Sequence, residues 1–173
     1  IKTGLSSAEK AIKQIKNSTD SIAAFIAEPI VGCGGQVPLA PGYLKTIYPE
    51  IRKQGGVCIS DEVQTGFGRL GSWFWGFEMH EVVPDIVVLG KPMGNGHPIG
   101  AVVTTAEIAH SFEQGVEFFS SFGGNPVSCA IGMAVLQTIE EEGLQENAEE
   151  VGAYYKSLLK SVQDQDARIG DVR

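Results

Sequence analysis

Three mainly apolar runs, each followed by a polar residue, constrain the fold of this chain more than any other feature. The runs lie at residues 21–27, 57–60 and 84–89, and apolar residues follow one another there instead of alternating with polar ones. Such runs are typical of strands that are buried on both faces of a parallel sheet. Stretches with helical spacing, at residues 6–17 and 43–54, precede the first two runs. The order predicts an α/β domain with a mostly parallel central sheet and flanking helices.

The second half of the chain continues this pattern and then becomes helical. A fourth strand is predicted at residues 101–105, and helices are predicted at residues 106–112, 127–142 and 144–162. Since the last two helices are long, we expect them to lead away from the sheet.

A domain boundary is therefore predicted near Glu142. Residues 1–142 would form part of the sheet domain, and residues 143–173 a helix and a strand that lead toward a C-terminal small domain. The chain starts at Ile1 and stops just as a new apolar run begins, so both ends look cut. We expect it to be a central piece of a longer protein.

Charge and composition narrow the class of partner. The net charge of -8 comes from scattered acidic residues, which argues against a nucleic-acid partner. The apolar runs are too short to cross a bilayer, so no membrane partner is expected.

The three cysteines, Cys33, Cys58 and Cys129, are far apart and have no histidine close in sequence. They predict small buried hydrophobic side chains in a reducing compartment, with no disulfide framework and no metal site. The cytoplasm is the expected location, and a mitochondrial leader on a missing N-terminus is the alternative.

Polar residues at the predicted strand ends indicate where the chemistry lies. Glu28, Asp61 and Lys91 follow the first, second and third strands, and ligands bind at the carboxyl ends of strands in sheets of this kind. An acid and a lysine at neighbouring strand ends are what a pyridoxal cofactor requires, because the amine condenses with the aldehyde and the acid keeps the ring nitrogen protonated. An ordinary surface pair is the alternative. The glycines and prolines around Lys91 favour a loop whose backbone approaches a flat ligand.

Two longer motifs carry a family resemblance. Residues 59–71 (Ile-Ser-Asp-Glu-Val-Gln-Thr-Gly-Phe-Gly-Arg-Leu-Gly) and 84–92 (Pro-Asp-Ile-Val-Val-Leu-Gly-Lys-Pro) resemble the signature of class III aminotransferases. Residues 27–30 and 121–126 extend the resemblance in the correct order. It implies the large domain of a fold type I pyridoxal-phosphate-dependent transferase, in part, with pyridoxal 5'-phosphate as cofactor and a homodimer as the assembly.

The resemblance also implies roles for single residues. Lys91 would form the Schiff base with the cofactor and move the proton as general acid and base. Asp61 would pair with the pyridine nitrogen, and Val63 would pack on the ring face. Gln64 would reach the phenolic oxygen, and Ser121 would donate to the cofactor phosphate of a partner subunit. The family has threonine at the position of Ser121, and serine keeps the hydroxyl group.

Other polar residues near the motifs have less direct roles. Glu28 matches a family glutamate on the substrate side, and a structural loop acid is the alternative reading. Glu62 is expected to be a structural partner for the backbone or a nearby base, and His97 to make one structural hydrogen bond.

The reaction implied by the resemblance is transfer of an amino group from an amine or amino acid to an oxo acid. Residues 90–98 and 115–130 are most similar to the alanine:glyoxylate aminotransferase 2-like branch, which contains phospho-lyases acting on phosphoethanolamine or phosphohydroxylysine. Phosphate elimination is therefore the first alternative, although a lyase needs cations around the leaving phosphate that this sequence does not show. The second alternative is a truncated product. The family's glycine-rich phosphate cup and its ring-stacking aromatic residue have no counterpart here, so we expect this chain alone to be inactive.

Overall fold

The computed structural model describes residues 2–18 and 20–173, with the side chains of residues 2–5 outside that description. The helices agree with the predicted ones to within a few residues at each end. They are α1 (Lys2–Asn17), α2 (Tyr43–Lys53), α3 (Ala106–Glu113), α4 (Pro126–Glu141) and α5 (Leu144–Gln163). Short 3-10 helices occupy Gly76–His80 and Lys91–Met93.

The described strands form one four-stranded sheet and one small two-stranded sheet. They are β1 (Ala24–Ala27), β2 (Ile30–Val31), β3 (Val37–Pro38), β4 (Val57–Asp61), β5 (Ile86–Leu89) and β6 (Ala101–Thr104). The larger sheet has the order β1-β4-β5-β6, in which β1, β4 and β5 are parallel and β6 is antiparallel to β5. The predicted mostly parallel sheet with flanking helices is confirmed.

Local sequence signals explain where the helices begin and end. The side chain of Thr105 accepts a hydrogen bond from the backbone of Ile108 at the start of α3, and Asn125 caps α4 in the same way. Such caps satisfy backbone N–H groups that have no partner within the helix. Gly143 has φ of +60° and ends α4 immediately before α5. Glycine adopts this left-handed conformation without steric cost.

The buried core lies between α2 and the sheet. Its members are Leu44, Ile47, Tyr48, Ile51 and Cys58, all at most 1% exposed. The four from α2 recur at helical spacing and so form one face of the helix. Each large apolar side chain buried there stabilises the fold by about 1.5–3 kcal/mol. This face fixes α2 on β4 and, through β4, sets the position of Asp61.

Three expectations are corrected by the structure. Strands β1 and β6 are not buried on both faces, since Ile26 is 58% exposed and Val102 is 66% exposed. Helix α2 packs on β1 and β4, whereas β6 is the edge strand at the other side of the sheet. Cys33 and Cys129 are exposed, and Cys58 alone of the three cysteines is buried.

The third correction concerns the segment after α5. The strand predicted within residues 143–173 is not formed, because residues 164–173 pair with no strand of either described sheet. The domain boundary near Glu142 stays a prediction. Among the helices of the described residues, none has the length and apolar character needed to cross a membrane.

Candidate functional site

The sheet register brings the three predicted strand-end residues to one edge. Ala27 of β1 pairs with Ser60 of β4, and Asp61 of β4 pairs with Val88 of β5. Glu28 therefore follows β1 beside the end of β4, and Lys91 follows Val88 by three residues. Since all three strands are parallel, their carboxyl ends meet at the same edge of the sheet.

Lys91 contacts a side chain from the neighbouring strand end. Its Nζ donates a hydrogen bond of 2.8 Å to Oε1 of Gln64, in the loop after β4. Lys91 begins a short 3-10 turn, and its φ of +26° is a backbone conformation that residues other than glycine rarely adopt. Backbone strain of this kind persists where the surroundings fix the conformation, and it clusters at functional sites.

Val63 lies against the backbone that leads to Lys91. A Cβ atom built on Gly90 would lie 3.2 Å from Cγ1 of Val63, so the absence of a side chain at Gly90 permits this close approach. The backbone N–H of Val63 donates to Oδ1 of Asp61 at 3.0 Å. The structure thus brings Asp61, Val63, Gln64 and Lys91 into one group of connected residues.

Glu28 joins this group through Gly32, a residue that sequence reasoning missed. The backbone N–H of Gly32 donates to Oε2 of Glu28 at 3.1 Å. A Cβ atom on Gly32 would lie 3.0 Å from Cδ of Gln64, tighter than an ordinary contact. Glycine at this position therefore lets the amide of Gln64 pass close to the loop after β1. A glycine in a loop was the only sequence signal for this contact.

Glu62 bonds to the backbone, as predicted. Its carboxylate accepts hydrogen bonds from the backbone N–H groups of Gly76 at 2.8 Å and Phe77 at 2.9 Å. Neither donor is close in sequence, so the residue type alone did not identify them.

The single structural hydrogen bond predicted for His97 is confirmed. Its Nε2 lies 2.8 Å from Oγ of Ser128 in the first turn of α4. Asn125 Nδ2 also donates to this hydroxyl oxygen, at 2.9 Å. Ser128 therefore ties the loop that carries Lys91 to the start of α4.

Ser121 lies apart from the other candidates. It is exposed, in the segment between α3 and α4. Among the described residues, no hydrogen bond joins it to Asp61, Gln64 or Lys91. This position is compatible with a role across a subunit interface, which stays a prediction.

Asp85 anchors the start of the strand that delivers Lys91. Its Oδ2 accepts a hydrogen bond of 2.7 Å from the backbone N–H of Cys58 in β4. Its Oδ1 accepts one of 2.9 Å from Nη2 of Arg52 in α2, and Nη2 also donates to the carbonyl of Val83. The hydrogen bond and the ion pair with Asp85 raise the pKa of the Arg52 guanidinium above its ordinary value. One carboxylate thus holds α2, β4 and β5 together.

Comparison with known proteins identifies relatives over nearly the whole chain. The family model described as "Aminotransferase class-III" matches residues 2–173. Alanine–glyoxylate aminotransferase 2, mitochondrial, of Homo sapiens is 51% identical over 170 residues, 95% of this chain and 33% of that protein. Alanine–glyoxylate aminotransferase 2-like of Drosophila melanogaster is 55% identical over 153 residues, 88% of this chain and 31% of that protein. The chain spans about a third of the length of these relatives.

Solved structures agree with the same assignment. A phospholyase from Arthrobacter, in complex with phosphoethanolamine, superposes with a TM-score of 0.89 and 42% sequence identity. The match covers 98% of this chain and 40% of that one. An S-selective transaminase from Arthrobacter sp. superposes with a TM-score of 0.86 and 34% identity, over 95% of this chain and 36% of that one.

Proposed function

This chain belongs to the class III aminotransferase family, and on that premise we propose that the full-length protein is a pyridoxal-phosphate-dependent aminotransferase. It would move an amino group from an amine or amino acid to an oxo acid. The observation that carries the proposal is the hydrogen bond between Lys91 and Gln64 at the carboxyl edge of the sheet. That contact places the primary amine of Lys91 in the same group of connected residues as the carboxylate of Asp61.

The chemical groups at this edge fit pyridoxal phosphate, the cofactor on which class III aminotransferases depend. Lys91 offers an amine for the aldehyde, and Asp61 a carboxylate for the ring nitrogen. Val63 offers an apolar surface for the flat ring. The close contact between Val63 and Gly90 supports this fit, because it places the apolar side chain beside the backbone that leads to the lysine.

When bound, the cofactor supplies an electron-withdrawing ring that stabilises negative charge on the carbon next to the substrate amine. Asp61 would keep a proton on the ring nitrogen, since a carboxylate beside that nitrogen favours its charged form. Gln64 uses Oε1 to accept from Lys91, so its NH₂ group can donate to the phenolic oxygen. Lys91 would then take the proton from the substrate carbon and return it as general base and acid.

Phosphate elimination is a second candidate function. It is favoured by the likeness to the Arthrobacter phospholyase, at 42% identity over 98% of this chain. The same proton removal by Lys91 begins both reactions. In elimination, the bond from the neighbouring carbon to the phosphate oxygen then breaks and its electron pair leaves with the phosphate. In transamination, that bond does not break; the proton would be returned, and the amino nitrogen of the substrate would stay with the cofactor.

The assembly and the compartment complete the proposal. A homodimer is proposed, in which Ser121 donates to the cofactor phosphate of the partner subunit. Its exposure in this chain supports a contact with another surface. The mitochondrial name of the human relative favours the mitochondrion over the cytoplasm that the sequence predicted. A fluorescent fusion of the full-length protein distinguishes the two compartments.

The test of the cofactor role is reduction of the full-length protein with borohydride in the presence of pyridoxal phosphate, followed by digestion and mass spectrometry. The expected result is a pyridoxyl adduct on Lys91. Lys91→Arg keeps the charge and should lose the adduct, whereas the control Lys45→Arg should keep it. An adduct on Lys45 or Lys53, or no adduct, would contradict the proposal.

A paired assay separates the two reactions. Alanine and glyoxylate are expected to yield pyruvate and glycine. A lyase would instead convert phosphoethanolamine to acetaldehyde, ammonia and inorganic phosphate. Phosphate release from phosphoethanolamine without pyruvate formation from alanine would assign the protein to the second function.

A further inference from the structure

Glu62 lies between Asp61 and Val63 in the chain, and its side chain is completely buried. Burial of a carboxylate is costly unless hydrogen bonds replace the lost water. Among the described residues, no lysine, arginine or histidine forms an ion pair with Glu62. Its charge must therefore be stabilised by hydrogen-bond donors.

Four donors surround this carboxylate. Ser60 Oγ and the backbone N–H of Phe77 donate to Oε1 at 3.0 and 2.9 Å, and Thr65 Oγ1 and the backbone N–H of Gly76 donate to Oε2 at 2.6 and 2.8 Å. Two carboxylate oxygens offer about four lone-pair positions, so the hydrogen-bonding capacity of Glu62 is filled. Hydrogen bonds to a charged acceptor are also the stronger ones.

The donors come from both ends of one long loop. Ser60 lies in β4 and Thr65 just after it, whereas Gly76 and Phe77 begin the 3-10 helix at the far end of the loop. The backbone of Glu62 is held as well, since its N–H donates to the carbonyl of Val88 in β5 at 2.9 Å. The contacts of Glu62 thus fix the short stretch of backbone between the end of β4 and Thr65.

We propose that Glu62 is a positioning residue whose buried carboxylate sets Asp61, Val63 and Gln64 in place relative to Lys91. The inference rests on the proposed function for the identity of the ligand. The geometric part of the inference is independent of that function, because the hydrogen bond between Gln64 and Lys91 is a contact of the chain itself. Glu62 itself contacts neither Lys91 nor a ligand, and it acts through the backbone of its neighbours.

The test is Glu62→Gln in the full-length protein. The amide keeps the shape but replaces one acceptor oxygen with a donor, so two of the four donors lose their partner. The expected result is that pyridoxal phosphate, followed by absorbance after rapid gel filtration, leaves the variant about tenfold faster. Hydrogen exchange should also accelerate at one of the amides of Gly76 and Phe77, the one that faces the new NH₂ group.

A second readout needs no cofactor. In the apo-protein, a short pulse of an acetylating reagent is read by peptide mass spectrometry as the labelling of Lys91 relative to Lys45. The ratio should rise roughly threefold in Glu62→Gln, because a displaced Gln64 no longer holds the amine of Lys91. This readout separates the two ideas: failure of the borohydride test would remove the proposed function, and an unchanged labelling ratio would remove the positioning role.

Matched variants complete the experiment. Glu78→Gln makes the same change at an exposed glutamate of the 3-10 helix Gly76–His80, whose first two residues donate to Glu62. Glu78 accepts one bond from the backbone of Trp75, and its variant should alter neither cofactor release nor the labelling ratio. Thr65→Val removes one donor and keeps the side-chain shape, so it should shift both readouts in the same direction by a smaller factor. If Glu62→Gln does not fold, Thr65→Val tests the positioning role of Glu62 in its place. A lowered melting temperature with unchanged cofactor release and labelling would show that Glu62 only stabilises the fold.

Discussion

Removal of the Asp85 carboxylate should destabilise the protein by about 2–4 kcal/mol. The charged hydrogen bond with the backbone N–H of Cys58 contributes about 1.5–3 kcal/mol, and its loss leaves a buried donor without an acceptor. The ion pair with Arg52 adds about 0.2–1 kcal/mol, because both side chains are partly exposed and solvent screens the pair. The predicted difference between the variants therefore lies at Cys58: Asp85→Ala frees its backbone N–H, whereas Arg52→Ala loses the ion pair and the bond to the Val83 carbonyl and leaves that N–H bonded.

The assay is urea unfolding of the full-length protein, combined with hydrogen exchange at the amide of Cys58. Asp85→Ala should lower the free energy of unfolding by the amount given above and should speed exchange at Cys58, whereas Arg52→Ala should leave most of that protection. Asp166→Ala breaks an ion pair with Arg168 whose arginine side chain is 90% exposed, and it serves as the control with no measurable change expected. Unchanged exchange at the amide of Cys58 in Asp85→Ala would refute the reasoning, since the backbone hydrogen bond would then contribute nothing.

Three further predictions follow from other contacts. His97→Gln should cost about 1 kcal/mol, and Ser128→Ala somewhat more, because the Ser128 hydroxyl also accepts a hydrogen bond from Asn125. The double variant should cost little more than Ser128→Ala alone, since the bond between His97 and Ser128 is already lost there; additive costs in thermal unfolding would disprove the shared bond. Burial raises the pKa of the Cys58 thiol from 9.0 to about 11, so its contribution to stability is complete below pH 9 and is lost as the pH rises toward 11. Iodoacetamide at pH 8 should leave Cys58 unlabelled in the native protein, and labelling at the rate of the unfolded chain would contradict this. Gly94→Ala should destabilise the lysine loop by about 1–3 kcal/mol, because its methyl group would overlap the carbonyl oxygen of His97, whereas Gly152→Ala has free space and should be neutral or stabilising in the same melting experiment.

The elements of the fold were predictable because their signals are local. The apolar spacing of α2 and the glycine that ends α4 act within a few residues of themselves, and both predicted boundaries are met to within one residue. The exposed face of β6 was not predictable in this way. An apolar run has the same sequence whether or not another element covers it.

The candidate site was predictable in part. A parallel sheet brings strand ends together whatever the strand order, so Asp61 and Lys91 were expected at one edge without knowledge of their partners. The contact of Gly32 with Gln64 joins loops that follow different strands, and no periodicity encodes such a pairing. The same holds for the bond between His97 and Ser128, which are 31 residues apart.

The sequence by itself determined which residues are candidates for the chemistry and at which strand ends they lie, because residue type and short-range spacing are properties of the chain. Only the tertiary structure decided that Gln64 reaches Lys91 and that donors from a distant turn surround Glu62. Those contacts depend on how β4, β5 and the long loop between them pack in space. A buried carboxylate is stable only once that packing has brought its donors within hydrogen-bond distance.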